Sequence, residues 1–292
     1  MKTPQNEIYP NINQSWGIVG IVILTMIIFS PIQIFLQGVL GNELSFLIYY
    51  LFSMGGAFLF IHFRRKKISR ISSYNFTDSS YKVIGLVIIA TVAIPVGVTL
   101  PIVNLLPMPE FIQKIFLEFG ERKGLFSFIA IVIAAPIFEE LIFRGIILDG
   151  LLRKYSPLKS IIISSLLFGL VHLNPWQFIS AFILGLFSGW VYYKTGKLAL
   201  SVIVHLVNNL IAFVGMLFSD SASYDKSLSE FYGGLTAMVL IILAAVTIFI
   251  VSVYLMRKTL NNSNKVCWQQ INNELSDKTD QTLDENINKI VN

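Results

Sequence analysis

Two adjacent carboxylates and an arginine lie in the middle of a long apolar run, in the stretch AAPIFEELIFRG at residues 134–145. Charged side chains at membrane depth are costly, so they mark function by default. Glu140 and Arg144 are four residues apart with the acid first, and a helix places them on one face as an ion pair. Glu139 is rotated by about 100° and can face a cavity. The pattern predicts an acid that is free to act beside a supporting pair; a purely structural ion pair is the alternative, and it leaves Glu139 without a partner.

Two histidines and an asparagine follow in apolar segments farther along the chain. His172 ends the sequence FGLVH, and His205 begins HLVNN, with Asn209 four residues on. Each of these side chains would cost free energy in lipid unless it faced a partner or water. One polar cavity bounded by three spans satisfies them all, so we expect them to lie beside Glu139. The third histidine, His62, precedes four cations and is interpreted as an interfacial side chain.

These side-chain types are the ones needed to hydrolyse an amide. A carboxylate can serve as the general base toward water, and a histidine can position that water or pass a proton to the leaving amine. A second histidine and an asparagine amide can donate hydrogen bonds to the oxyanion as it forms. No metal is required for this route. Two histidines and a glutamate could also hold a divalent metal such as zinc, with Glu139, His172 and His205 as the candidate ligands.

The elements that position these groups are helices that cross a membrane. The chain has 292 residues and is 54% hydrophobic and 13% charged, which is about half the charge of an ordinary soluble domain. Apolar runs of 18 or more residues recur, which is typical of a polytopic membrane protein. We expect an all-α bundle of about eight transmembrane helices. The predicted spans cover residues 16–40, 46–63, 82–106, 125–152, 158–173, 176–193, 198–218 and 233–255.

Two features predict how these helices are shaped and packed. Pro136 lies in the fourth predicted span, just before the motif acids. A proline inside a helix has no N–H to donate, so it frees a carbonyl and can bend the helix at the site. Gly185 and Gly189 form a small-xxx-small pair in the sixth predicted span, which predicts close approach of a neighbouring helix.

The polar ends frame one membrane domain. Residues 1–15 are predicted to be a polar N-terminal segment, residues 16–257 the membrane domain, and residues 258–292 a polar, flexible tail that holds Cys267. A single cysteine excludes an intrachain disulfide, and its place in the tail excludes a thiol nucleophile within the membrane. Lys and Arg concentrate in alternate loops, which predicts that both termini are cytoplasmic. The net charge of +5 thus reflects topology, and no nucleic-acid partner is expected.

The three motifs together resemble those of a known family. EELIFR, FGLVH and HLVNN match the patterns EExxxR, FxxxH and HxxxN, in that order. They look like the motifs of the CPBP family, the CAAX-protease and bacteriocin-processing proteins, also called type II CAAX prenyl endopeptidases or Abi proteins. The resemblance covers about residues 124–215. Members are often described as metalloproteases, while a metal-free glutamate mechanism has been argued for the prenyl endopeptidases, and the sequence leaves both open.

The resemblance implies a role for each motif position. Glu139 would activate the water with help from His172. His205 and Asn209 would form the oxyanion site. The remaining motif positions are the supporting pair, Glu140 and Arg144.

The residues and the resemblance together predict an intramembrane endopeptidase that hydrolyses a peptide bond near the cytoplasmic face. The signatures HExxH, Gly-x-Ser and GxGD are absent, which disfavours classical zinc, serine and aspartyl peptidases. A metal-dependent version of the same protease remains an alternative. So does a non-enzymatic membrane protein, such as an immunity or scaffold protein. A proton-coupled transporter is disfavoured because no inverted repeat is found.

The expected partners are a peptide or protein substrate, membrane-associated or not, and the lipid bilayer. The Ile-, Asn- and Lys-rich composition favours a bacterial cytoplasmic membrane. Prenylated CAAX substrates are what the family name suggests. In a bacterium, the processing of a peptide pheromone or bacteriocin, or immunity, is the better expectation from the resemblance.

Overall fold

The computed structural model describes residues 8–218 and 227–260. That part of the chain forms ten helices and no strand, so the predicted all-α membrane bundle is confirmed. The helices are α1 (Ile12–Leu40), α2 (Asn42–Ser69), α3 (Tyr81–Val103), α4 (Glu110–Gly120), α5 (Leu125–Leu152), α6 (Pro157–Leu170), α7 (Pro175–Thr195), α8 (Leu198–Phe218), α9 (Leu228–Phe231) and α10 (Leu235–Leu260).

Six of the described helices are long and apolar enough to cross a membrane, by length and composition: α1, α2, α3, α5, α8 and α10. They coincide with six of the eight predicted spans. The predicted spans 158–173 and 176–193 are also helical, as α6 and α7. However, α6 has only 14 residues, so it is about 21 Å long and shorter than the ~30 Å hydrocarbon layer. α7 has 21 residues, but none of its 18-residue stretches is as apolar as those of the six.

The central helix of the bundle is α5. It packs against α2, α6 and α8, while α1 lies on α2 and α10 lies on α3. One apolar cluster joins α1, α2, α5 and α6 around Ile142 and Ile146. A second joins α3, α7, α8 and α10 around Val87 and Val204. The two clusters meet where α5 packs on α8 and where α6 packs on α7, and α5 and α8 carry the first and third motifs.

The start of α1, the end of α2 and the end of α5 lie on the same side of the bundle. The Tyr9 backbone N–H donates to the Ser69 hydroxyl at 2.8 Å. Pro10 lies against Gly150, near the end of α5. The cation-rich segment 64–70 therefore lies on the side where α1 begins, as the predicted topology requires.

The predicted boundaries of the membrane domain differ by a few residues from the ends of the first and last helices. α1 begins at Ile12, ahead of the predicted boundary at residue 16, and α10 continues to Leu260, past the predicted end of the membrane domain at residue 257. Residues 1–7 and 261–292, including Cys267, lie outside the described residues.

Two π-helical turns widen α5 on either side of the motif acids, at Ile129–Ala134 and Phe143–Leu148. The backbone N–H that follows the first π turn bonds to the carbonyl five residues back. In that pattern the next N–H would bond to the Ile131 carbonyl, but Pro136 has none to donate. Ile131 therefore carries the carbonyl that the proline leaves free. π turns inside α-helices occur frequently at functional sites.

Candidate active site

Glu140 is the motif acid that is fully paired. Its Oε1 accepts from Arg144 Nη1 at 2.9 Å and from His205 Nδ1 at 3.1 Å, and its Oε2 accepts from the Ser188 hydroxyl at 3.0 Å. The side chains of Glu140 and Arg144 are completely buried, so the predicted ion pair is present. Because Nδ1 of His205 donates to Glu140, Nε2 is the nitrogen of that ring that can face another group.

Glu139 keeps one carboxylate oxygen without a partner. Its Oε1 accepts from the Tyr50 hydroxyl at 2.7 Å. Its Oε2 is buried and makes no hydrogen bond within residues 8–218 and 227–260. His205 Nε2 lies 3.9 Å from that oxygen, which is too far for a direct hydrogen bond. The two motif acids therefore differ: Glu140 is neutralised, and Glu139 presents an oxygen that has no hydrogen-bond partner among the described residues.

Phe168, the aromatic residue of the second motif, contacts the motif arginine and both motif histidines. The Arg144 guanidinium lies 4.4 Å from its centroid. The rings of His172 and His205 meet it edge-on, at 5.3 and 5.4 Å. A cation over an aromatic face gains about 0.5–2 kcal/mol. Phe168 thus stabilises the buried arginine and lies at the level of the ion pair.

His172 lies in the turn after α6, whereas the sequence predicted it inside the span 158–173. The helix ends at Leu170. Leu173 then adopts a left-handed backbone conformation with φ 56°, which costs a non-glycine residue about 1 kcal/mol. Asn174 follows as the cap of α7, and Pro175 begins that helix. The predicted break at Asn174 and Pro175 is present, but the prediction for His172 was wrong because α6 ends three residues before residue 173 and a turn precedes α7.

The contacts of His172 differ from those of the other motif residues. Its Nδ1 bonds to the Phe168 carbonyl at 2.9 Å. No hydrogen bond or ion pair within the described ranges joins His172 to Glu139 or to His205. The structure therefore brings Glu139, Glu140, Arg144 and His205 into one polar network, and places His172 beside that network through the Phe168 ring.

Asn209 holds the first π turn of α5. Its Nδ2 donates to the Ile131 carbonyl at 2.8 Å, which is the carbonyl that Pro136 leaves free. The second π turn has a similar support, since the Ser164 hydroxyl donates to the Phe143 carbonyl at 3.0 Å. A carboxamide has two N–H donors, and this bond uses one of them. The oxyanion role of Asn209 stays a prediction.

Two partners of the acids come from helices that the sequence did not connect with the motifs: Tyr50 on α2 and Ser188 on α7. Buried hydroxyls almost always find a partner, but the sequence does not show which one. The predicted close approach at Gly185 is confirmed. A Cβ there would lie 3.2 Å from Arg144 Nη2 and 3.1 Å from the Ser165 Cα, so the glycine lets α7 reach the ion pair.

The candidate metal ligands do not form one donor group. Within the described residues, no three His, Cys, Asp or Glu side chains are arranged to hold a metal ion. Glu139 and His205 are neighbours, but Nδ1 of His172 is engaged by the Phe168 carbonyl. As they are placed, Glu139, His172 and His205 do not fit a shared metal ion.

Comparison with known proteins gives a family match over part of the chain. Residues 121–211 match the family described as Rce1-like type II CAAX prenyl endopeptidases. The matched segment contains all three motifs, so the resemblance is confirmed for this part of the chain.

Two curated relatives are similar over shorter stretches. "Putative membrane peptidase YdiL" of Bacillus subtilis is 31% identical over 85 residues, which is 29% of this chain and 35% of the relative. "Uncharacterized 24.3 kDa protein" of Escherichia coli is 30% identical over 118 residues, which is 39% of this chain and 53% of the relative. The chain thus spans about a third to a half of the length of these relatives. No solved structure matches the chain.

Proposed function

From the match of residues 121–211 to the Rce1-like endopeptidases, we propose that this chain is an intramembrane endopeptidase. It hydrolyses a bond of a peptide or protein substrate near the cytoplasmic face. The observation that carries the proposal is the buried, unpartnered Oε2 of Glu139, 3.9 Å from His205 Nε2. Burying a carboxylate oxygen without a partner is costly. A water molecule between the two atoms would bond to both.

In the proposed reaction, Oε2 of Glu139 takes a proton from that water as its oxygen attacks the scissile carbonyl carbon. The Tyr50 hydroxyl holds Oε1 at 2.7 Å, so the base keeps one orientation. The proton then passes to the amide nitrogen, the C–N bond breaks, and the products are a carboxylic acid and an amine. A base positioned in this way contributes a factor of about 10²–10⁴ to the rate.

His205 and Asn209 are proposed to stabilise the oxyanion. Because the Nδ1–H of His205 is donated to Glu140, its Nε2 can donate only when the ring is an imidazolium. The buried carboxylate of Glu140 is placed to stabilise that cation, at 3.1 Å. Asn209 would contribute the amide N–H that the Ile131 carbonyl does not use. Preorganised donors of this kind are worth about 3–4 kcal/mol of barrier each.

His172 is proposed to help position the water. Its Nδ1 bonds to the Phe168 carbonyl, so the neutral ring carries its proton on Nδ1 and presents Nε2 as an acceptor. The ring is held edge-on to Phe168, the same ring that His205 contacts. Because both histidines rest on the same ring, we assign His172 a supporting role near the water and Glu139 the role of the base.

We also propose that both termini lie on the cytoplasmic side of a bacterial cytoplasmic membrane. The cation-rich segment 64–70 lies where α1 begins, in accord with the positive-inside rule. Both relatives are bacterial proteins. Processing of a secreted peptide or a bacteriocin therefore suits this chain better than cleavage of a prenylated CAAX substrate.

Proteolysis by the purified full chain in liposomes tests the function, with a panel of quenched fluorescent peptides. Glu139→Gln should lower the cleavage rate by about a thousandfold, because the amide cannot accept the proton. Glu110→Gln is the matched control: it makes the same change at an exposed position on α4 and should cleave like wild type. Each variant is assayed with and without a strong chelator.

The outcomes separate the alternatives. Cleavage that is lost in Glu139→Gln and unaffected by the chelator supports the metal-free glutamate reaction. Cleavage that is lost with the chelator and restored by one divalent metal favours the metal-dependent version. A Glu139→Gln variant that cleaves at the wild-type rate would overturn the assignment of the base. Wild type that cleaves no peptide in the panel would favour a non-enzymatic immunity or scaffold protein.

A further inference from the structure

A second buried polar cluster lies about 15 Å farther along α5 from Glu139, at 1.5 Å per residue. Its centre is Asp149, whose Oδ2 accepts from Arg65 Nη2 at 2.6 Å and from Arg153 Nε at 3.0 Å. Its Oδ1 accepts from the Tyr192 hydroxyl at 3.2 Å. Asp149 is therefore fully used by the groups around it, and none of these residues belongs to the three motifs.

The cluster has more positive than negative charge. It contains two guanidinium groups and one carboxylate, so one positive charge is left over. Arg65 is 2% exposed, and its Nε and Nη1 have no hydrogen-bond partner among the described residues. A buried cationic donor without acceptors is costly. The atoms of this cluster that lack partners are therefore hydrogen-bond donors of Arg65, and an anion is the ligand that accepts from such donors.

Tyr74 does not supply the balancing charge. The Arg65 guanidinium lies 5.3 Å from the centroid of its ring. Burial raises the pKa of Tyr74 above its ordinary value, and the neighbouring Arg65 offsets this only in part. The phenol therefore stays neutral at physiological pH, and the excess charge of the two arginines remains.

These side chains line a cavity. Arg65, Asp149, Arg153 and Tyr192 surround a volume of about 130 Å³, together with residues of the loop that follows α2. That volume has room for a small tetrahedral oxyanion. The guanidinium groups of arginine match such oxyanions with paired N–H donors.

One wall of the cavity is formed by the loop that follows α2, and contacts with α5 and α8 hold this loop in place. Tyr74 packs onto α5 at Gly145, where a Cβ would lie only 2.9 Å from its ring. The loop is also fixed at its far end, because the Leu198 N–H donates to the Asn75 carbonyl at 2.8 Å. The cavity therefore has a glycine contact and a backbone hydrogen bond that hold its shape.

We propose that this cavity binds a phosphate group, held by Arg65 and Arg153. The group can come from two sources with the same chemistry: the headgroup of an anionic phospholipid, or a free phosphate ion. The cavity lies at the end of α2 beside the cation-rich segment 64–70, which is where phospholipid headgroups would meet the bundle. Asp149 holds the two arginines in place and at the same time weakens binding through like-charge repulsion.

Binding of inorganic phosphate to the delipidated full chain in detergent is the first test, by calorimetry at an ionic strength held constant with chloride. Arg65→Gln and Arg153→Gln should each weaken phosphate affinity by at least about tenfold, the effect of losing one charge-assisted hydrogen bond. Asp149→Asn should tighten it severalfold. Lys67→Gln is the matched control, since it removes one exposed charge from the same helix end and should leave affinity within about twofold.

A second experiment identifies whether the phosphate group comes from a lipid headgroup or from the free ion. Wild type and the same variants are reconstituted with phosphatidylcholine, with or without phosphatidylglycerol, and retained lipid is measured by native mass spectrometry. Retention of phosphatidylglycerol that is lost in Arg153→Gln but kept in Lys67→Gln indicates the lipid headgroup. Phosphate binding without such retention indicates the free ion.

Two results would overturn the proposal: wild type that binds neither probe, or binding that both arginine variants leave unchanged. Circular dichroism and gel filtration verify the folding of each variant. Arg153→Gln keeps the test informative if Arg65→Gln does not fold, because Asp149 then retains both Arg65 and Tyr192.

Discussion

The two polar clusters on α5 are built alike but differ in their balance of acidic and basic side chains. At the motif site, two acids face one arginine, and the buried atoms left without a hydrogen-bond partner in the described part of the chain are one oxygen of Glu139 and two nitrogens of Arg144. At the second cluster, Asp149 is paired with two arginines, and two nitrogens of Arg65 are left without partners. In both clusters the ion pairs hold the helices together, and the side chains in excess indicate the proposed ligand: a water to be deprotonated where acids are in excess, and an anion where arginines are in excess.

Removing the arginine from the motif site should have the largest effect. Arg144→Gln leaves the buried Glu140 carboxylate without its main counter-charge, so we expect it to lower the free energy of unfolding by about 3–5 kcal/mol. Equilibrium unfolding in mixed detergent–SDS micelles measures this loss. Arg64→Gln, at an exposed position on α2, is the control and should change stability by less than about 0.5 kcal/mol. A loss below about 1 kcal/mol for Arg144→Gln would mean that His205 and Ser188 suffice to hold the acid.

The bond between Asn209 and the Ile131 carbonyl should have the next largest effect. Asn209→Ala removes the donor to that partly buried carbonyl and should cost about 1 kcal/mol. Pro136→Ala restores a backbone N–H, so in that background the cost of Asn209→Ala should fall to about half or less. A double-mutant cycle of unfolding free energies measures the coupling. Additive losses would show that Asn209 does not compensate for the proline.

Loss of the Tyr50 hydroxyl should have a moderate effect on turnover. Tyr50→Phe removes the bond that orients Glu139, so we expect kcat to fall by about tenfold, or ~1.4 kcal/mol of barrier, with KM unchanged. The neighbouring Tyr49→Phe is a matched control, because the Tyr49 hydroxyl bonds to the Met26 carbonyl and not to an acid. If both variants lost turnover equally, the effect would come from the packing of α2.

Removing an arginine from the second cluster should have the smallest effect on stability. After Arg153→Gln, Asp149 still has Arg65 and Tyr192, and the Arg153 side chain is already 13% exposed. We expect a loss of about 1 kcal/mol or less in the same unfolding experiment. A loss as large as that of Arg144→Gln would show that the second cluster is mainly a structural network and has no donors to spare.

The geometry of a single helix is enough to predict much of the motif site from the sequence. The spacing of Glu140 and Arg144 predicts their ion pair, because side chains four residues apart on a helix are neighbours whatever surrounds them. The carbonyl freed by Pro136 is likewise a property of the chain within one turn. Composition and apolar run length predicted the membrane bundle, and the order of the three motifs predicted the family match.

The tertiary structure alone decided which distant groups complete each network. Tyr50 is 89 residues from Glu139, and Arg65 is 84 residues from Asp149. No periodicity in the sequence joins such pairs, because they depend on which helix faces meet and at what depth. The same applies to His172: its motif marks it as important, but the early end of α6 and the Phe168 ring decide where it lies. The sequence determined the contacts that form within one helix, and the packing of α2, α6, α7 and α8 around α5 decided which distant groups complete each network.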